Sequence, residues 1–102
     1  MEITVRDDPE RSQYVAAVDG TDVGVARYVE SGTVRTFTHT EVDPSHQGQG
    51  IASELVRQAV RDVRSRDLQL IALCPYVKRW LEKHPGEADP RGSADATRAD
   101  SD

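Results

Sequence analysis

The hydrophobic period of this chain changes once, at Asp43-Pro44, and that change restricts what the chain can fold into. Before it, apolar residues alternate with polar ones or form short runs between turn residues. Ile3 and Val5 mark a short first strand, broken by Asp7-Asp8-Pro9. Tyr14-Val15-Ala16-Ala17-Val18 is a second, and Asp19-Gly20 behind it reads as a hairpin turn because both residues tolerate positive φ. Val23, Val25 and Tyr28-Val29 make a third strand, and Glu30-Ser31-Gly32 the next turn. Residues 33–42 form a fourth, dense in β-branched side chains: Thr33, Val34, Thr36, Thr38, Thr40 and Val42. After Pro44 the apolar positions are Ile51, Ala52, Leu55, Val56, Ala59, Val60 and Val63, the spacing of an amphipathic helix. Arg57, Arg61 and Arg64 fall on its other side and read as a solvated face. Residues 68–73 are a compact apolar run, expected as a buried fifth strand. Pro75 stops that strand and opens a second helix with Val77, Trp80 and Leu81 inward. His84-Pro85-Gly86 ends it, with His84 placed to favour the helix dipole. The expected class is α+β with a mostly antiparallel sheet: a four-strand meander, then helix, strand, helix.

A chain of 102 residues is one small domain. Cys74 alone rules out a disulfide framework and argues against a thiolate zinc site, so no metal is expected. The longest apolar runs are five residues, too short to span a bilayer, and no basic segment followed by an apolar one opens the chain. The net charge of −5 argues against a nucleic-acid or anionic-membrane partner. The expectation is a soluble, cytoplasmic protein. From Gly86 onward there is no aromatic residue and no aliphatic one larger than Ala, and five acids against two arginines carry −3. Such a segment cannot bury enough apolar surface to offset its ordering entropy. The domain is therefore expected over residues 1–86, with a disordered acidic tail over 87–102.

The segment richest in chemistry is the junction Val42-Asp43-Pro44-Ser45-His46-Gln47-Gly48-Gln49-Gly50-Ile51-Ala52. A strand ends, two glycines follow with one residue between them, and a helix starts at once. Glycine allows backbone conformations and approaches that a Cβ blocks, and the first N–H groups of a helix have no internal partner. With the helix dipole they make an anion-binding nest that needs no lysine. A Walker loop is excluded because no Lys follows Gly50. A dinucleotide fingerprint would need Ser53 as its third small residue and an acid closing the next strand, which instead ends in Cys74-Pro75. A glycine turn without a ligand remains the plain alternative.

The run Gln47-Gly48-Gln49-Gly50-Ile51-Ala52 resembles the Gln/Arg-x-x-Gly-x-Gly/Ala pyrophosphate-arm motif of the GNAT N-acetyltransferase superfamily. Val42-x-Pro44 before it and Leu55 after it fit the same pattern. His39-Thr40-Glu41-Val42, Cys74-Pro75-Tyr76-Val77 and His84-Pro85 are similar to a short, stand-alone branch of that superfamily. The likeness covers residues 3–86. It implies a compact fold in which acetyl-CoA lies where the fourth and fifth strands splay apart. The main-chain amides of Gln47, Gly48, Gln49, Gly50, Ile51 and Ala52 would hold the pyrophosphate. The backbone of Thr40, Glu41 and Val42 would pair with the pantetheine arm and the acetyl carbonyl, as unpaired strand amides can. The implied activity is transfer of the acetyl group to an amine acceptor, a small molecule or a peptide. A second reading is an acetyl-CoA-binding module, a sensor or docking protein, with little turnover.

Acetyl transfer to an amine needs a base for the ammonium and an acid for the leaving thiolate. His39 and Glu41 alternate onto one face of the fourth strand, roughly 7 Å apart, and either suits the base. The plain alternative makes His39 a hydrogen-bonded core group and Glu41 an ordinary strand-end carboxylate. Many superfamily members carry a tyrosine acid on the last helix; the matching region here has Trp80 and Leu81, and Tyr76 belongs to the first turn. Cys74 precedes Pro75 at a helix N-terminus, a position that lowers a thiol's pKa and favours the nucleophilic thiolate. It is a candidate to accept the acetyl group or tune the site; the alternative is a small buried hydrophobe. His46 before the loop is within reach of a phosphate but reads as solvated.

Overall fold

The computed structural model describes residues 1–87 of the chain; the expected tail beyond Glu87 lies outside the described residues. The strands are β1 (Ile3–Asp8), β2 (Gln13–Val18), β3 (Thr21–Ser31), β4 (Val34–Val42) and β5 (Gln69–Ala72), and the helices α1 (Ile51–Ser65) and α2 (Pro75–Lys83). Short 3-10 turns at Pro44–His46 and Pro85–Glu87 precede α1 and follow α2. The sheet runs β1-β2-β3-β4-β5, antiparallel up to β4 and parallel between β4 and β5. Parallel neighbours need a crossover, and α1 supplies it. This is the α+β fold expected from the change of period.

Alternation along the strands sends Tyr14, Ala16 and Val18 to one face of the sheet, where Leu55, Val56, Ala59, Val60 and Val63 of α1 cover them. Val77, Trp80 and Leu81 of α2 complete the same core, and Trp80 Nε1 donates to Ser53 Oγ of α1 at 2.9 Å. Each fully buried Leu, Val or Phe side chain there contributes about 1.5–3 kcal/mol. Helix α1 ends in a Schellman motif: Leu68 N–H donates to the Val63 carbonyl (3.1 Å), and Asp67 N–H to that of Arg64 (3.0 Å). Asp67 stands at φ +61° in the position glycine usually takes.

A polar cluster lies inside this layer. Arg35, only 4% exposed, projects from β4 toward the helices. Its Nη1 donates to the Tyr14 hydroxyl (2.7 Å), which donates to Asp62 of α1 (2.6 Å). Its Nε donates to Glu30, and its guanidinium lies 4.3 Å from the Tyr28 ring centroid. Tyr28 in turn donates to Asp7 at 2.7 Å. A buried guanidinium is tolerated only with such partners.

The arginine face of α1 is solvent-facing, with Arg61 and Arg64 exposed, and on it Arg57, Arg61 and Arg64 gather on Glu87. Glu87, expected as the first tail residue, is held in the 3-10 turn by those contacts, with Arg61 Nη2 at 2.9 Å from its Oε2. Arg61 is the leading cause of a Glu87 pKa below the ordinary carboxylate value. His84 caps α2, with Nδ1 2.8 Å from the Trp80 carbonyl and its ring stacked on the indole at 4.2 Å.

Candidate functional site

The site begins where two strands part. β4 and β5 pair only from Val34↔Gln69 to Phe37↔Ala72. The Phe37 carbonyl accepts from both Leu73 N–H and Cys74 N–H, each at 2.9 Å, and the chain then turns into α2. β4 runs on to Val42. The parting coincides with a bulge: Tyr28 opposes Phe37 and Arg27 opposes His39, so Thr38 is the extra residue. A bulge bends its strand and raises the local twist, which carries the end of β4 away from β5. Beyond the bulge, Gly24 opposes Val42 and Asp43 N–H donates to the Val23 carbonyl. By the alternation of an antiparallel ladder, the Thr40 and Val42 amides then point into the gap and the Glu41 amide points to β3.

The loop between β4 and α1 forms the other wall. Asp43 Oδ1 accepts from Ser45 N–H (3.0 Å) and Ser45 Oγ (2.9 Å), contacts that hold the Asp43 carboxyl below its ordinary pKa. Gln47 Nε2 reaches back to the Val42 carbonyl at 3.3 Å. Gly48 at φ +82° and Gly50 at φ +79° turn the backbone through left-handed conformations, and Gly50 caps α1. The first amides of α1 therefore face outward without internal partners.

Between these walls lies a groove of about 400 Å³. Of the residues singled out in the sequence, Thr40, Val42, Gln47, Gly48, Gly50, Ile51 and Ala52 line it; Gln49 does not. Three further lining residues are His46, Ser53 and Tyr76. Burial raises the Tyr76 hydroxyl above its ordinary pKa. Its place on the first turn of α2 is legible in the sequence, but its place on the groove depends on how α2 leaves the gap.

The catalytic candidates divide. His39 Nε2 stands 3.4 Å from Glu41 Oε1, and both side chains are exposed, on the sheet face that carries no helix. His39 is therefore not a core group. Glu41 borders a second hollow there, of about 480 Å³, with Asp43, Arg6 and Asp22. Cys74 is 3% exposed and sits behind the groove wall, its Sγ 3.5 Å from Thr40 Oγ1.

A gap between parallel strands, with unpaired strand amides on one side and a glycine-turned helix N-terminus on the other, has the hydrogen-bonding groups suited to an amide-bearing arm and a phosphate group. The comparisons agree with that geometry. Residues 13–89 match the family model of the GCN5-related N-acetyl-transferases. No curated protein matches the sequence. Among solved structures, the chain is similar to a GCN5-like putative N-acetyltransferase from Staphylococcus aureus (TM-score 0.61, 23% identity), covering 84% of this chain and 82% of that one. It is also similar to the Escherichia coli ribosomal-protein-S18-alanine N-acetyltransferase (TM-score 0.62, 18% identity, 76% of this chain and 54% of that one). A GNAT family acetyltransferase from Brucella melitensis, solved with acetyl-CoA, matches at TM-score 0.52 and 22% identity over 67% of this chain and 50% of that one. The chain thus spans about half the length of the last two. At these identities the structures speak for the fold, and the family model for descent: the chain belongs to the GCN5-related N-acetyltransferase family.

Proposed function

We propose that the chain transfers the acetyl group of acetyl-CoA to an amine, with the groove as the cofactor site. The observation that carries this reading is the splay of β4 from β5 beside the Gly48/Gly50 loop. In it, the amides of Gly48 to Ala52 hold the pyrophosphate, the Gln47 N–H being given to the Pro44 carbonyl, and the Thr40 and Val42 amides pair with the pantetheine arm and the thioester carbonyl. The amine arrives from the helix-free face, where His39 and Glu41 stand. His39 takes the ammonium proton while the Glu41 carboxylate, 3.4 Å away, steadies the imidazolium. The amine nitrogen then bonds the carbonyl carbon, the C–S bond breaks, and coenzyme A leaves as the thiolate and is protonated.

Burial of Cys74 behind Thr40 favours direct transfer over an acetyl-cysteine intermediate, and makes Cys74 a positioning residue for Thr40. The test is release of free coenzyme A thiol over a panel of small amines and peptide amines. Turnover is expected with at least one class, with His39→Ala lowering kcat about 100-fold, the scale of a lost general base. Cys74→Ala should keep most of the turnover. Tight acetyl-CoA binding with no turnover on any amine would instead favour a binding module.

A further inference from the structure

We propose that Arg57 holds the 3′-phosphate of coenzyme A, and that the chain's own Glu87 carboxylate takes that place when no nucleotide is bound. The inference rests on the groove being the coenzyme A site. Three guanidinium groups converge beside α2 on one carboxylate, and they do not hold it equally. Arg61 is at hydrogen-bond distance from Glu87 (2.9 Å). Arg57 is not: its Nη1 lies 3.6 Å from Glu87 and its Nε 3.4 Å from Glu54. Among the described residues its five donors meet acids only in these two long ion pairs, with the side chain 30% exposed.

Arg57 stands close to the groove. It stands one helical turn beyond Ser53, a lining residue, a rise of about 6 Å along α1. Trp80 ties the two together, because its Nε1 donates to Ser53 Oγ at 2.9 Å and its ring centroid lies 5.6 Å from the Arg57 guanidinium. The indole fixes the direction in which Arg57 extends from the groove wall. A pyrophosphate on the loop amides would direct the phosphomonoester of the same nucleotide along α1 toward that position. Glu87 marks where an anion sits against these arginines. A phosphomonoester, with more charge and three acceptor oxygens, outcompetes a single carboxylate at a guanidinium.

The test compares dissociation constants of coenzyme A and dephospho-coenzyme A by calorimetry on the full chain. Coenzyme A should bind about fivefold tighter, between the value of an exposed ion pair and that of a charge-assisted hydrogen bond. Arg57→Gln should erase that preference and leave dephospho-coenzyme A unchanged. Glu87→Gln should widen the preference by freeing Arg57 and also leave dephospho-coenzyme A unchanged. Equal affinities in the unmodified chain, or a preference that survives Arg57→Gln, overturns the subsite while the groove reading stands. Failure of both ligands to bind overturns the groove reading, and the subsite with it.

Discussion

At Gly50 the backbone sits at φ +79° with nothing within 4 Å of where a Cβ would stand, so Gly50→Ala adds strain and no clash. A left-handed non-glycine residue costs about 1–2 kcal/mol, and that loss is expected in denaturant unfolding. Relief of the strain re-aims the first amides of α1, so acetyl-CoA affinity should fall by more than the loss of stability alone explains. Unchanged affinity in a folded Gly50→Ala chain would remove the loop from the site. Gly24 is favoured for a different reason: a Cβ there would lie 3.3 Å from the Glu41 carbonyl and 3.3 Å from Val42 Cγ2, tight contacts that a small shift of β3 against β4 would have to relieve.

At the scale of elements, α1 is fastened to the sheet through Tyr14, Arg35 and Asp62, and this sets an alkaline limit. Burial first, and then the hydrogen bonds to Asp62 and Asp7, raise the Tyr14 and Tyr28 hydroxyls well above their ordinary value of 10.0. A raised folded pKa means the folded chain keeps protons that the unfolded chain releases. The resulting stability is full below pH 10 and declines as pH rises toward the folded values. Thermal unfolding should therefore be level up to about pH 10 and fall beyond it, with tyrosinate absorbance rising together with unfolding. Ionisation of Tyr14 and Tyr28 near pH 10 in the folded chain would contradict the buried network. The elements themselves were legible because strand and helix periods differ. The glycine loop was legible as a break between them. The bulge was not: Thr38 follows the buried Phe37 and is followed by polar residues through Glu41, so no hydrophobic alternation marks it. Yet it decides the site. Strict alternation from the buried Phe37 would have turned His39 and Glu41 toward the core, and the extra residue turns them out. The Arg35 network and the Glu87 anchor were equally hidden: apart from Glu30, five residues from Arg35, their partners lie 21–48 and 23–30 residues away, and no local pattern encodes them.

At the scale of the whole molecule, one face of the sheet carries both helices and the core, and the other carries none. Val15 and Ala17 are nonetheless buried on the bare face, close to the Arg6–Asp22 pair. In the proposed reaction the acceptor comes to His39 and Glu41 on that bare face, where no helix among the described residues forms a lid. That arrangement suits a large or extended amine more than one needing enclosure. The central claim, that the splayed groove holds acetyl-CoA, is tested most directly by following the melting temperature against acetyl-CoA, with NAD as the control nucleotide. At about 100 times its dissociation constant a ligand adds roughly 2.7 kcal/mol to the folded state. In a domain of this size the midpoint should then rise by about 10 °C, with no rise for NAD. No rise at millimolar acetyl-CoA, or an equal rise with NAD, would contradict the account.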